Sequence, residues 1–241
     1  MNNHVDPRQV LRQLLRENPS FHGRKKAGSN NYSMDPRVLE WMAENIKEGS
    51  TTLETGCGYS TVVLASLACR HTVISPFPEE HRLIDDWCKR QGLPTEQLRF
   101  IAQPSQEVVG GLECRGLDFV LIDGDHAFPV PFIDWYYTAD KIRPGGYVVV
   151  DDTQIATGAI LRDFLAKDST RWRPVTEIGR TAIFARATQA PVVAGVFWWQ
   201  QPFCQVPWNP QPTEPPTKKQ WWRRGDPPRR SGDEGAAPGQ F

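Results

Sequence analysis

The chain has 241 residues, 39% of them hydrophobic, enough for one good core with an appendage and short for two full domains. Its 28 Lys+Arg balance 28 Asp+Glu, so no global field favours nucleic acid or an anionic membrane surface, and no apolar run approaches the roughly 20 residues of a spanning helix. The start, MNNHVDPRQVLRQLL, lacks a signal-peptide core, and Cys57, Cys69, Cys88, Cys114 and Cys204 show neither CxxC spacing nor an even count; a cytoplasmic protein with reduced thiols is expected.

Two helices open the chain as a cap over residues 1–49. VDPRQVLRQLLREN puts Val10, Leu11, Leu14 and Leu15 on one face, and DPRVLEWMAENI starts with Asp35 as N-cap and Pro36 at the first helical position. The polar, glycine-marked GRKKAGSNNYS between them reads as a loop, in which Asn30, Asn31 and Tyr32 are candidates for a lid. From Ser50 strands and helices alternate. TTLET, HTVIS, LRFIA, LDFVLID and YVVVDD read as strands separated by the helices STVVLASLAC, EEHRLIDDWCKRQG, SQEVVGGL and PFIDWYYTADKI, the last broken by Pro144–Gly145–Gly146. A helix ATGAILRDFLAKD follows, then RWRPVTEI and RTAIFAR with a tight turn at Gly179. Crossover helices between strands imply right-handed βαβ units, so residues 50–187 are expected to form a doubly wound, mostly parallel α/β sheet with helices on both faces and a C-terminal antiparallel hairpin. Beyond Thr188 lie ten of the 21 prolines and five of the nine tryptophans, a composition that frustrates both periodicities. Residues 188–241 are expected to be a disordered tail, with Trp198–Trp199 and Trp221–Trp222 beside Arg223–Arg224 offering a docking alternative.

Ligands of such sheets bind outside the carboxyl ends of the strands. After the first strand comes ETGCGYST, with Glu54 at the strand end, Gly56 and Gly58 in the turn, and Ser60 where a helix begins. Glycines let the backbone approach a ligand, and a helix amino terminus offers free N–H groups. A dinucleotide site calls for a third glycine where Thr61 stands and an acid near Ile74–Ser75–Pro76, so NAD is disfavoured. At the ends of the fourth and fifth strands stand Asp123, in IDGDH, and Asp151–Asp152, in VVVDDT. Clustered carboxylates raise one another's pKa or recruit a hard cation such as Mg²⁺. His126, three residues past Asp123, has the ordinary pKa of a proton acceptor, or is a loop histidine bonded to Asp125.

The Glu54–Gly56–Gly58 turn followed by Pro-Gly-Gly before a later apolar strand resembles the class I S-adenosylmethionine-dependent methyltransferases over Ser50 to Arg186. The resemblance implies a seven-stranded Rossmann-like sheet and S-adenosylmethionine (SAM) along Glu54, Gly56, Gly58 and Ser60, reaching Ser105, Gln106 and Asp123. The usual ribose acid at the second strand end is replaced by Ser75–Pro76; Glu79 or Glu80 could reach in, or could serve only as first-turn helix acids. The acidic cluster is similar to that of metal-dependent O-methyltransferases of the macrolide-sugar and antibiotic type, which implies Asp123, Asp151 and Asp152 as metal ligands and His126 as general base. The expectation is methyl transfer to a hydroxyl of a small molecule, with no nucleic acid or membrane partner. The alternative is an inactive methyltransferase-like protein that binds partners through its Trp/Pro/Arg tail.

Overall fold

The computed structural model describes residues 5–22 and 34–205; the lid candidates Asn30, Asn31 and Tyr32 and the paired Trp221–Trp222 lie outside the described residues. The cap helices are α1 (Pro7–Glu17) and α2 (Pro36–Asn45), and each begins as its sequence demands, with the carboxylate of Asp6 or Asp35 accepting the N–H two residues on and a proline in the first turn. Seven strands follow: β1 (Thr51–Thr55), β2 (Arg70–Ile74), β3 (Leu98–Ile101), β4 (Leu117–Ile122), β5 (Ile142–Val150), β6 (Trp172–Ile178) and β7 (Thr181–Arg186). The helices between them are α3 (Tyr59–Ser66), α4 (Pro78–Arg90), α5 (Ser105–Val108), α6 (Val130–Thr138) and α7 (Ala156–Lys167).

The strands form one sheet in the order β3-β2-β1-β4-β5-β7-β6, parallel except for β7, which runs antiparallel to β5 and to β6. This is the expected Rossmann-like methyltransferase fold. Period-two alternation divides the core: Phe119, Leu121, Val149 and Ile183 face α1 to α4, while Leu53, Val120, Ile122, Val148 and Phe184 face α6 and α7. Strand order reverses between β1 and β4, so the cleft for a ligand opens above those two strand ends.

Two elements differ from expectation. Pro144–Gly145–Gly146 does not separate a helix from a strand but lies inside β5, where the register against β4 shifts between Leu117 and Phe119. A Cβ on Gly146 would stand 2.8 Å from the Leu117 carbonyl oxygen, so the strands approach closely only because no side chain is there. The second difference is the tail. Packed structure continues to Gln205, because Arg186 donates to the Ala190 carbonyl at 2.7 Å and the Asp140 carboxylate accepts the backbone N–H groups of Val192 and Ala194 at 2.5 and 2.7 Å. Val192 is buried, and Phe203 meets Phe164 edge-on at 5.6 Å. Residues 188–205 are therefore a strap on the domain rather than disordered chain; charge–backbone contacts offset the missing periodicity.

Candidate active site

The turn after β1 is built from inside. Glu54 is fully buried, and its carboxylate accepts the hydroxyls of Ser60 at 2.6 Å and Thr61, while His71 Nε2 lies 3.1 Å from it and His71 Nδ1 faces Thr52 Oγ1 at 2.9 Å. Glu54 and Ser60 thus frame the loop and the start of α3. Gly56 has φ +92°, and a Cβ there would meet the Asp123 carbonyl oxygen at 2.3 Å. Its glycine is demanded by β4's approach as much as by any ligand. Gly58 is the open position, where a Cβ would meet only His22 Nε2, at 3.7 Å.

At the end of β2, Glu79 and Glu80 part company. Glu79 turns outward to Arg82 at 2.6 Å. Glu80 turns in: Oε1 lies 3.3 Å from His22 Nδ1 and Oε2 accepts the Cys57 thiol at 3.5 Å. Burial pushes the Cys57 thiol far up, so it is a donor and not a nucleophile. On the β3 side Ser105 is buried at the start of α5 and Gln106 is exposed. Ser105 and Thr55 both face Asp134 of α6, a carboxylate 1% exposed whose oxygens close no hydrogen bond. Burial, opposed by those two hydroxyls, pushes its pKa up to about 6.

The second rim lies at the ends of β4 and β5. Asp123, His126 and Asp152 each bring one ligand atom within 4.8 Å of the others. Asp123 has its pKa driven well up by burial first and then by the charges of Asp151, Asp152 and Glu54. His126 Nε2 meets Asp152 Oδ2 at 2.9 Å, a bond that raises the imidazole's pKa and draws that of Asp152 down to about 2. Asp152 adopts φ +53°, a conformation that aspartate tolerates better than most residues, and its other oxygen takes Gln154 at 2.7 Å and Arg180 Nε at 3.1 Å. Asp125 does not orient His126 through a hydrogen bond; it accepts the Ala127 N–H at 2.9 Å.

Asp151 stands apart from this group. Its carboxylate is buried against the Thr181 hydroxyl of β7, and burial raises its pKa. The structure therefore brings Asp123, His126 and Asp152 together and leaves Asp151 behind them, because Asp151 is tied to Thr181 of β7 and the left-handed turn at Asp152 sends the next side chain elsewhere. Two carboxylates and an imidazole, with surplus negative charge around Asp123, suit a hard or borderline divalent cation. Sequence reasoning missed Arg180, His22 and Asp134, none of which carries a local motif; only Asp134, a charge inside the apolar run PVPFIDWYY, left a signal that could have been read.

A family model described as a methyltransferase domain matches residues 53–153, from β1 through both rims. No curated protein sequence matches the chain. Among solved structures, SAH-bound PaMTH1 of Podospora anserina is similar at 12% identity, with a TM-score of 0.55, over 78% of this chain and 89% of that one. The O-methyltransferase TomG of Streptomyces achromogenes, involved in tomaymycin synthesis and solved with SAM, is similar at 14% identity and a TM-score of 0.54, over 78% and 91%. Cofactor-bound Rv0187 from MTB gives 18% identity and 0.54, over 66% and 84%. At these identities the likeness establishes the fold.

Proposed function

We propose that this chain transfers a methyl group from SAM to a hydroxyl of a small molecule, with a divalent cation held by Asp123 and Asp152. The methyltransferase-domain match and the fold support the SAM-dependent transfer. The observation that carries the rest is juxtaposition: the acidic rim touches the glycine turn, with Gly56 seated against the Asp123 backbone and a metal-competent cluster on the same cleft.

Bound SAM supplies an activated methyl on a sulfonium, and a bound cation lowers the pKa of a coordinated hydroxyl. The protein's work is to align and to take a proton. Gly58 leaves the backbone open to the cofactor, Glu80 is the carboxylate available to its ribose hydroxyls, and Ser105 and Gln106 stand on the adenine side. With His126 Nε2 held by Asp152, the other ring nitrogen, Nδ1, is the one that takes the acceptor's proton, and the carboxylate on Nε2 strengthens its basicity. Asp151, tied to Thr181, positions the backbone from which Asp152 projects. Exposed Phe128 and Ile155, close in sequence to His126 and Asp152, favour an apolar body on the acceptor.

The test is thermal denaturation and methyl-transfer assay together. S-adenosylhomocysteine (SAH) at 100 times its Kd should contribute about 2.7 kcal/mol and raise the midpoint. No shift at millimolar SAH removes the methyltransferase reading. Transfer that survives EDTA and Asp152→Ala unchanged removes the metal, and His126→Gln with full turnover removes the base.

A further inference from the structure

The segment that leads out of α1 is fastened to the methyltransferase domain at point after point. Trp87 Nε1 of α4 donates to Glu17 at 2.8 Å. The Tyr59 hydroxyl, at the first residue of α3, lies 3.0 Å from Asn18 Oδ1 and 3.1 Å from the Pro19 carbonyl. Phe21 is buried edge-on against the Tyr59 ring, with centroids 5.7 Å apart. Asn18, in the left-handed conformation at φ 46°, turns the chain so that these contacts follow one another. What they deliver is His22, placed between the open glycine of the turn and the inward acid of α4: Nε2 beside Gly58, Nδ1 at 3.3 Å from Glu80.

A carboxylate that is only about a tenth exposed needs donors to hold one rotamer, and Glu80 has two, the imidazole on one oxygen and the Cys57 thiol on the other. The thiol is a weak donor. The imidazole is the strong one, and it comes from outside the stretch 53–153 that carries the methyltransferase match.

We propose that His22 is a positioning residue of the cofactor site: it holds Glu80 so that the carboxylate can accept from the ribose hydroxyls, which makes the amino-terminal cap part of cofactor recognition. The proposal rests on the methyltransferase reading and on Glu80 as the ribose acceptor. His22 forms no bond to the cofactor's reacting atoms and takes no part in the transfer step. Its effect is on cofactor affinity through one substituent pair of the ligand.

The experiment is calorimetric titration of the full chain with SAH and with its 2′,3′-dideoxy analogue, for the unsubstituted protein, His22→Ala, His22→Gln and Glu80→Gln. Loss of a hydrogen bond to a charged group predicts about tenfold weaker SAH binding by His22→Ala, with most of it restored by His22→Gln, which keeps an N–H donor. The dideoxy analogue should bind the unsubstituted chain more weakly than SAH does, and His22→Ala should cost it nothing further. Equal SAH affinity in His22→Ala and the unsubstituted chain overturns the proposal, as does an equal loss for both ligands, the signature of a general structural role. If the unsubstituted chain binds no SAH, the methyltransferase reading falls and this assignment with it, an outcome distinct from binding that His22 does not influence.

Discussion

The two rims of the cleft are both built on acids at strand ends, Glu54 fully buried and Asp123 half-buried, yet they are opposite in their accounts of charge. Glu54 sits among donors, from Ser60, Thr61 and His71, so its rim is complete before any ligand arrives. Asp123 sits among acids: burial first, and then the charges of Asp151, Asp152 and Glu54, raise its pKa, while the nearby His126 and Arg180 are engaged with Asp152. The contrast is between a carboxylate whose hydrogen-bond partners lie within the fold and one set among like charges, the setting in which a bound cation would be most favoured.

Substitutions can break this contrast. Glu54→Ala strands three buried donors and should cost about 4 kcal/mol, measured as a lowered urea midpoint. Gly56→Ala forces a Cβ against the Asp123 carbonyl at a positive φ and should cost about 3 kcal/mol by the same measurement, with SAH binding lost. Asp134, between the rims, gives the pH test. Its folded pKa of about 6 lies above its ordinary 3.8, so the ionised form opposes folding: the penalty is absent below 3.8, grows as pH rises, and is complete above about 6. Asp134→Asn should therefore stabilise the chain by about 2 kcal/mol more at pH 8 than at pH 4, and a pH-independent effect would refute the assignment.

Smaller effects sharpen the same contrast. Asp123→Asn, in EDTA, relieves repulsion among four acids and should raise stability by about 1 kcal/mol, the reverse of the Glu54 result, while abolishing any rise of the thermal midpoint on adding Mg²⁺. Gly58→Ala should change stability by less than about 0.5 kcal/mol, since only His22 is near, and yet weaken SAH binding. A glycine exchanged without cost in folding but with cost in binding is the mark of a surface kept bare for a ligand.

Much of this was readable in the chain. TTLET and LDFVLID carry uninterrupted apolar character because both sheet faces are covered, and the caps at Asp6 and Asp35 announce their helices. The positions of Asp123, Asp152 and His126 followed from where strands end. The strap at 188–205 was not readable, because the acid that holds it is Asp140, 52 and 54 positions in sequence from Val192 and Ala194. Pro-Gly-Gly misled for a related reason: it reads as a breaker, and only the neighbouring strand shows that β5 needs its bareness.

Sequence alone determined the alternation of elements, the sheet they imply and the strand ends at which chemistry had to lie, since backbone periodicity and turn residues are local properties. Tertiary structure alone decided which acids face the cleft. It turned Asp151 away to Thr181, turned Glu80 inward and Glu79 outward, and set His22 over the glycine turn. Those choices depend on the direction of single side chains relative to neighbours distant in the chain, and no local pattern of residues encodes that.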